Sequence, residues 1–232
     1  MRAVLFDLDG TLLDIDLQRF LRRYFGALRT VPLGAAAGGL GPTTVVRAIM
    51  TATDAMMALH PGKTNLAAFS ESFIRTTGIA FDALWPAYEH FYASVFPLLQ
   101  DEAGPATGAR RVVETARGLG LRVAIATNPI FPRVAVDHRL AWAGLDDLTF
   151  DVVTTYEQMT ACKPHGAYFT QTAALLGVDP TDCLMVGDDI ALDLPASDVG
   201  MHTFLRGDAR SSADYRGTLD DLAGLLPLLA GT

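Results

Sequence analysis

Cysteine is scarce in this chain: of 232 residues only Cys162 and Cys183 are cysteines. Neither a disulfide framework nor thiolate zinc spacing is present, and a reducing compartment is the simplest expectation. Histidine is equally thin, with His60, His90, His138, His165 and His202 showing no metal-ligand spacing. Basic residues are outnumbered, 18 Lys and Arg against 26 Asp and Glu, for a formal net charge of -8. A surface of that sign is not expected to bind nucleic acid or an anionic membrane, both of which attract cations. The argument does not extend to one small anion, because a bound cation inverts the sign of a local site. No apolar run approaches the roughly 20 residues of a membrane helix. The first apolar run, within Arg2 to Asp9, is too short for a signal peptide and is broken by acids. A cytoplasmic protein is expected, as a monomer or homodimer.

What the chain does have is apolar content: 50% of its residues are hydrophobic. That suffices for a buried core and excludes disorder. The length suits one large domain or a core carrying a smaller insert. Short apolar runs at Ala3–Phe6, Leu121–Ala126, Val152–Thr154, Cys183–Val186 and Met201–Leu205 read as buried strands. Helical patterns lie between them, near Ala106–Leu119, Pro132–Ala143, His165–Leu176 and Leu192–Asp198, with a last one near Leu219–Leu229. Strands alternating with helices predict an α/β fold, a Rossmann-like core with a central parallel sheet covered on both faces.

One stretch breaks the alternation. Between about Asp14 and Ala103 no strand pattern occurs, and four apolar stripes recur at helical spacing. They run over Leu17–Leu28, Val45–Met57, Leu66–Ile74 and Leu84–Phe96, with a Gly/Ala-rich loop at Leu33–Gly41. Four such helices bury their faces as a small bundle. The expected organisation is therefore a core of residues 1–13 and 104–232, interrupted by an all-helical domain over 14–103.

Polar residues gather where the predicted strands end: Asp7 and Asp9 after the first, Thr127 and Asn128 after the second, Lys163 after the third, Asp188 and Asp189 after the fourth. Open parallel sheets bind ligands at that edge. Asp9-Gly10 alone is only a common turn pair. Asp-x-Asp at a buried strand end says more, because neighbouring carboxylates repel unless a cation lies between them. Asp188-Asp189 repeats the arrangement. Carboxylate oxygens without His or Cys partners suit Mg²⁺. A lysine on a neighbouring loop fits a site that also takes a phosphate, and Thr127 adds a hydroxyl donor.

Asp7-Leu8-Asp9-Gly10-Thr11-Leu12 resembles the DxDGT first motif of the haloacid dehalogenase superfamily. Ala126-Thr127-Asn128 resembles its second motif, Lys163-Pro164 its third, and Gly187-Asp188-Asp189 with Asp193 its fourth, in the same order. A helical insert directly after the first motif is similar to the family's helical cap. The resemblance implies a hydrolase of a small phosphorylated metabolite, with Asp7 as nucleophile and Asp9 as acid and then base. It implies that Thr127, Asn128 and Lys163 contact the phosphate, and that Mg²⁺ is held by Asp7, the Asp9 carbonyl and Asp188. Asp189 is expected to act behind these, through a water or on Lys163, while Asp193 reads equally as a support or a helix-side residue. A phosphomutase keeps the same motifs and stays open. A receiver domain would place its lysine last, and here Asp188-Asp189 follows Lys163. The cap is expected to open and close. Lys63 and Asn65, on a loop between two of its helices, are guesses for specificity.

Overall fold

The computed structural model describes residues 1–101 and 103–231. Glu102 and Thr232, which the expected insert and core spans include, lie outside the described residues. Strand β1 (Ala3–Phe6) is followed by a short β2 (Leu13–Asp14), then by helices α1 (Leu17–Leu28), α2 (Pro42–Met57), α3 (Asn65–Thr77) and α4 (Trp85–Ser94). The chain returns through β3 (Gly104–Pro105), α5 (Ala109–Gly118), β4 (Arg122–Ile125), α6 (Arg133–Trp142) and β5 (Val152–Val153). It ends with α7 (Gly166–Leu176), β6 (Cys183–Gly187), β7 (His202–Arg206), β8 (Tyr215–Gly217) and α8 (Leu219–Ala230).

Six of these strands form one sheet in the order β5-β4-β1-β6-β7-β8, parallel at every pairing. Parallel strands are buried on both faces, which is why β1 reads as an unbroken apolar run. Val4 and Phe6 face a core shared with Val112, Val123 and Leu222, whereas Ala3 and Leu5 face Tyr168, Phe169 and Met185. β1 lies at the centre, with β4 on one side and β6 on the other. The chain therefore reverses its direction of growth beside β1, and the carboxyl ends of β1, β4 and β6 diverge there into a crevice.

The expected helix at Leu192–Asp198 is instead a 3-10 turn at Leu194–Val199. Pro195 explains the change: it has no N–H to donate, and it biases the residue before it away from the α region. Strand β8 and the β2–β3 pair were not expected. Both are too short to show a period.

The insert helices follow the apolar stripes. Asp16 caps α1 by accepting from the Arg19 N–H at 2.9 Å, and Thr64 caps α3 through the Ala67 N–H at 3.2 Å. Where the chain enters and leaves the insert, β2 and β3 pair antiparallel, Asp14 opposite Gly104. Contact with the sheet-bearing part extends well beyond that ribbon. Tyr24 lies edge-on to Phe131 at 5.3 Å between centroids, and Phe96 stacks on Trp142 at 5.4 Å. Asn65, fully buried, donates its side-chain amide to the carbonyls of Pro129 (3.1 Å) and Ala161 (3.3 Å), and its backbone N–H to Met159 (2.7 Å). One continuous apolar core runs through both regions.

Candidate active site

The core-motif residues singled out from the sequence meet at the crevice beside β1, where a cavity of about 200 Å³ is lined by Asp7, Asp9, Thr127, Asn128, Lys163, Asp188, Asp189 and Asp193. Asp7 extends β1, its N–H donating to the Val186 carbonyl at 2.8 Å. The chain then turns sharply: the N–H groups of Leu12 and Leu13 both reach back to the Leu8 carbonyl. Gly10 makes the turn with φ +87, a value that favours glycine. It also lets Asp188 approach, since a Cβ on residue 10 would lie 2.4 Å from the Asp188 Oδ2 atom. Thr11, fully buried, donates to Asp188 Oδ1 at 2.9 Å and so aims that carboxylate.

Lys163 is buried and donates to Asp7 Oδ1 at 2.8 Å and to Asp193 Oδ1 at 2.6 Å. Burial works against its charge, but Asp193 and Asp7 outweigh that and hold its pKa above the ordinary lysine value. Its backbone N–H donates to Asn128 Oδ1 at 3.2 Å, which ties the loop after β5 to the loop after β4. That second loop is fixed by the Thr127 carbonyl, which accepts from Thr154 (2.7 Å) and Tyr168 (3.0 Å).

The partner of Lys163 is Asp193, not Asp189. Asp189 turns its Oδ1 to the N–H groups of Ala191 and Leu192 and caps the turn there. Asp193 reaches the lysine because β6 ends in Gly187: a Cβ on that residue would lie 2.0 Å from Asp193 Oδ2. The glycine of the fourth motif thus makes room for its last aspartate.

Carboxylate oxygens of Asp7, Asp188 and Asp193 lie within 4.8 Å of one another. Burial raises the pKa of Asp7 to about 8, with Lys163 opposing the shift and Asp193 adding to it. Asp188 is raised as well, chiefly by burial. Burial is the main cause of both shifts, and a cation held among these acids would oppose it by favouring their charged forms. Donors that are all hard oxygens fit Mg²⁺. Asp193 is already committed to Lys163 and to the Asp189 N–H (3.1 Å). Asp7 and Asp188 are thus the acids of the cluster nearest to free.

Arg139 was not singled out from the sequence. It lies on α6, is completely buried, and forms an ion pair through Nη1 with Asp9 Oδ2. Its Nε donates to the Ala135 carbonyl at 3.2 Å, and its guanidinium lies 4.6 Å from the centroid of Phe131. Asp9 Oδ1 and Arg139 Nη2 are buried without a hydrogen-bond partner among the described residues. The signal for this residue was available, since α6 buries Ala135, Val136 and Leu140 and Arg139 falls on the same stripe. A charge in the middle of an apolar stripe needs a partner.

Lys63 and Asn65 do not line the cavity. Lys63 pairs with the exposed Glu71, and Asn65 serves the contact between insert and core described above. Cys162 is buried and accepts from the Asn65 amide at 3.2 Å.

A model of the haloacid dehalogenase-like hydrolases matches residues 1–197. The chain belongs to that family. A haloacid dehalogenase-like hydrolase domain-containing protein 3 from Xenopus laevis is 36% identical over 99 residues, 42% of this chain and 39% of its own length. The chain thus spans about two fifths of that relative. A phosphoglycolate phosphatase from Xylella fastidiosa (strain 9a5c) is 28% identical over 204 residues, 86% of this chain and 77% of its own. The crystal structure of a phosphatase of this family from Thermococcus onnurineus superposes with a TM-score of 0.57 at 24% identity, covering 97% of this chain and 98% of the other. At that identity the likeness concerns the fold. No helix among the described residues is long and apolar enough to cross a membrane.

Proposed function

We propose that this family member is a Mg²⁺-dependent phosphatase that hydrolyses a small phosphomonoester through a phosphorylated Asp7. One observation carries the reading: a buried Lys163 bonded to Asp7 and Asp193, beside the Asp7–Asp188–Asp193 carboxylate cluster, at the switch point of a parallel sheet. The phosphatase names among the relatives support it. In this reading residues 14–103 are the cap.

Phosphoryl transfer needs positioning and charge neutralisation more than exotic groups. Mg²⁺, held by Asp7, Asp188 and the Asp9 carbonyl, would offset the repulsion between a carboxylate and a phosphate dianion. Lys163 contributes a fixed charge on the other side of Asp7. The Asp7 carboxylate oxygen forms a bond to phosphorus while the bond from phosphorus to the ester oxygen breaks. Asp9 gives its proton to that leaving oxygen, a contribution commonly worth about 10²–10⁴-fold in rate. Asp9, now a carboxylate, takes a proton from water as the water oxygen bonds to phosphorus. The Asp7–phosphorus bond breaks, and inorganic phosphate leaves. Dividing the reaction at a covalent intermediate makes each half easier. Thr127 and Asn128 hold the phosphoryl oxygens. Arg139 is a positioning residue: its Nη1 holds Asp9 Oδ2 and leaves Oδ1, which has no hydrogen-bond partner among the described residues, as the oxygen that carries the proton.

Release of phosphate from an aryl phosphate tests the reading. Turnover that requires Mg²⁺, stops with chelator and is lost in Asp7→Asn is the expected result. Turnover that survives Asp7→Asn refutes the assignment.

A further inference from the structure

A second cavity of about 60 Å³ lies between the helical insert and the segments that carry Ile130, Phe131, Pro132 and Tyr156. Leu21, Ile130 and Phe131 belong to the walls of both. Helix α1 forms one continuous side, with Leu17 and Leu21 on the first cavity and Leu21, Tyr24 and Leu28 on the second. The segment after Thr127-Asn128 forms the opposite side with Ile130, Phe131 and Pro132. The two cavities thus lie on either side of a shared wall of Leu21, Ile130 and Phe131.

Charge is segregated between the two cavities. The first cavity is walled by Asp7, Asp9, Asp188 and their neighbours, the second by aromatic and aliphatic side chains without one formal charge. The cations that face the first cavity are already paired, Lys163 with Asp7 and Asp193, Arg139 with Asp9. Among the described residues no cation borders the aromatic cavity; Arg19 and Arg23 of the insert line a separate cavity, where both pair with Asp101. The polar groups of the aromatic cavity are hydroxyls. Those of Tyr24 and Tyr92 bond to each other at 2.9 Å, and Thr53 donates to the Ile49 carbonyl at 2.9 Å. Tyr88, 2% exposed on the wall of the same cavity, keeps a buried hydroxyl with no hydrogen-bond partner among the described residues.

Resting on the phosphatase reading above, we infer that the substrate is the phosphomonoester of a short, uncharged, apolar alcohol, whose alkyl end enters the aromatic cavity of the insert with room for at most one hydroxyl, facing Tyr88. A volume of about 60 Å³ holds only a few water-sized groups, so the part that reaches it is a few carbons long. A carboxylate or second phosphate there would be desolvated without a counter-charge, which is strongly unfavourable. The inference thus separates this chain from relatives named for phosphoglycolate and ribulose bisphosphate.

Binding of non-hydrolysable phosphonates tests it, measured calorimetrically with Mg²⁺ on the full chain. Butylphosphonate, three methylenes longer, is expected to bind at least about tenfold more tightly than methylphosphonate, since even one methylene in a fitted pocket is worth about that much. Phosphonoacetate, which carries a carboxylate, is expected to bind no better than methylphosphonate. Thr53→Leu, which fills the insert cavity from a half-buried position, should abolish the butyl advantage and leave methylphosphonate unchanged. Equal binding of butyl- and methylphosphonate, or tighter binding of phosphonoacetate, overturns the inference and leaves the phosphatase reading intact. If no phosphonate binds and no aryl phosphate is turned over, both fall together.

Discussion

Replacing Arg139 by Met removes the positive half of a buried ion pair. The Arg139 side chain is fully buried and that of Asp9 is only 12% exposed, so little solvent can take over when the guanidinium is lost. Breaking such a pair from one side typically costs about 3–5 kcal/mol, because the remaining charge is left without compensation. Methionine fills much of the apolar stem but gives up the contact with the Phe131 face and the bond to the Ala135 carbonyl. For a chain of this size, about 3–5 kcal/mol corresponds to a fall in Tm of roughly 10 °C. Activity should fall as well, since Asp9 loses the group that orients it. The loss should stay within the roughly 10²–10⁴-fold that an acid-base residue contributes. The decisive assay is a double-mutant cycle with Asp9→Asn, read in both denaturant unfolding and phosphate release. If Arg139 acts through Asp9, the double variant is far less impaired than the sum of the single ones. Additive effects in both readouts would refute the positioning role. Arg139→Lys, which keeps the charge and loses the fork, should recover stability better than it recovers activity.

Two further outcomes follow from the same structure. Burial raises Asp7 from 3.8 to about 8 and also raises Asp188, so the metal-free native state holds protons that the unfolded chain releases. Its stability should therefore fall as pH rises through that window, Mg²⁺ should reverse the trend while releasing protons, and Asp7→Asn should flatten it; a wild-type Tm that rises with pH without metal, relative to Asp7→Asn, contradicts the account. Asn65→Leu removes side-chain bonds to two core carbonyls and leaves them buried and unmet, at about 1–3 kcal/mol each; hydrogen exchange should quicken around α3 and the Ala161 loop while the phosphate site keeps its affinity, and unchanged exchange there would show that Asn65 does not tie insert to core.

How much of this was legible in the sequence depends on the physics behind each element. Strand β1 and the acids after it could be read directly, because a parallel strand buried on both faces is an unbroken apolar run and its end faces the crevice. The insert helices were equally plain, since each shows an apolar stripe at the helical period. The β2–β3 pair has two residues per strand and β8 has three, too few for any period to appear. Asp193 could not be ranked above Asp189 from spacing alone. What decides between them is the missing Cβ of Gly187, which is a matter of three-dimensional approach. Arg139 was overlooked because α6 reads as an ordinary amphipathic helix unless each polar residue on its buried face is asked for a partner. The insert's attachment through Asn65 was beyond the sequence, because backbone carbonyls of distant loops leave no mark in it.

The central claim is that Asp7 becomes covalently phosphorylated. Rapid acid quench during turnover of an aryl phosphate, followed by mass spectrometry of the peptide that contains Asp7, tests it most directly. The account predicts a phosphoryl adduct on Asp7, present with Mg²⁺, absent with chelator and absent in Asp7→Asn. Turnover at full rate with no adduct on that peptide at any quench time, and the phosphoryl group found on another residue, would contradict it.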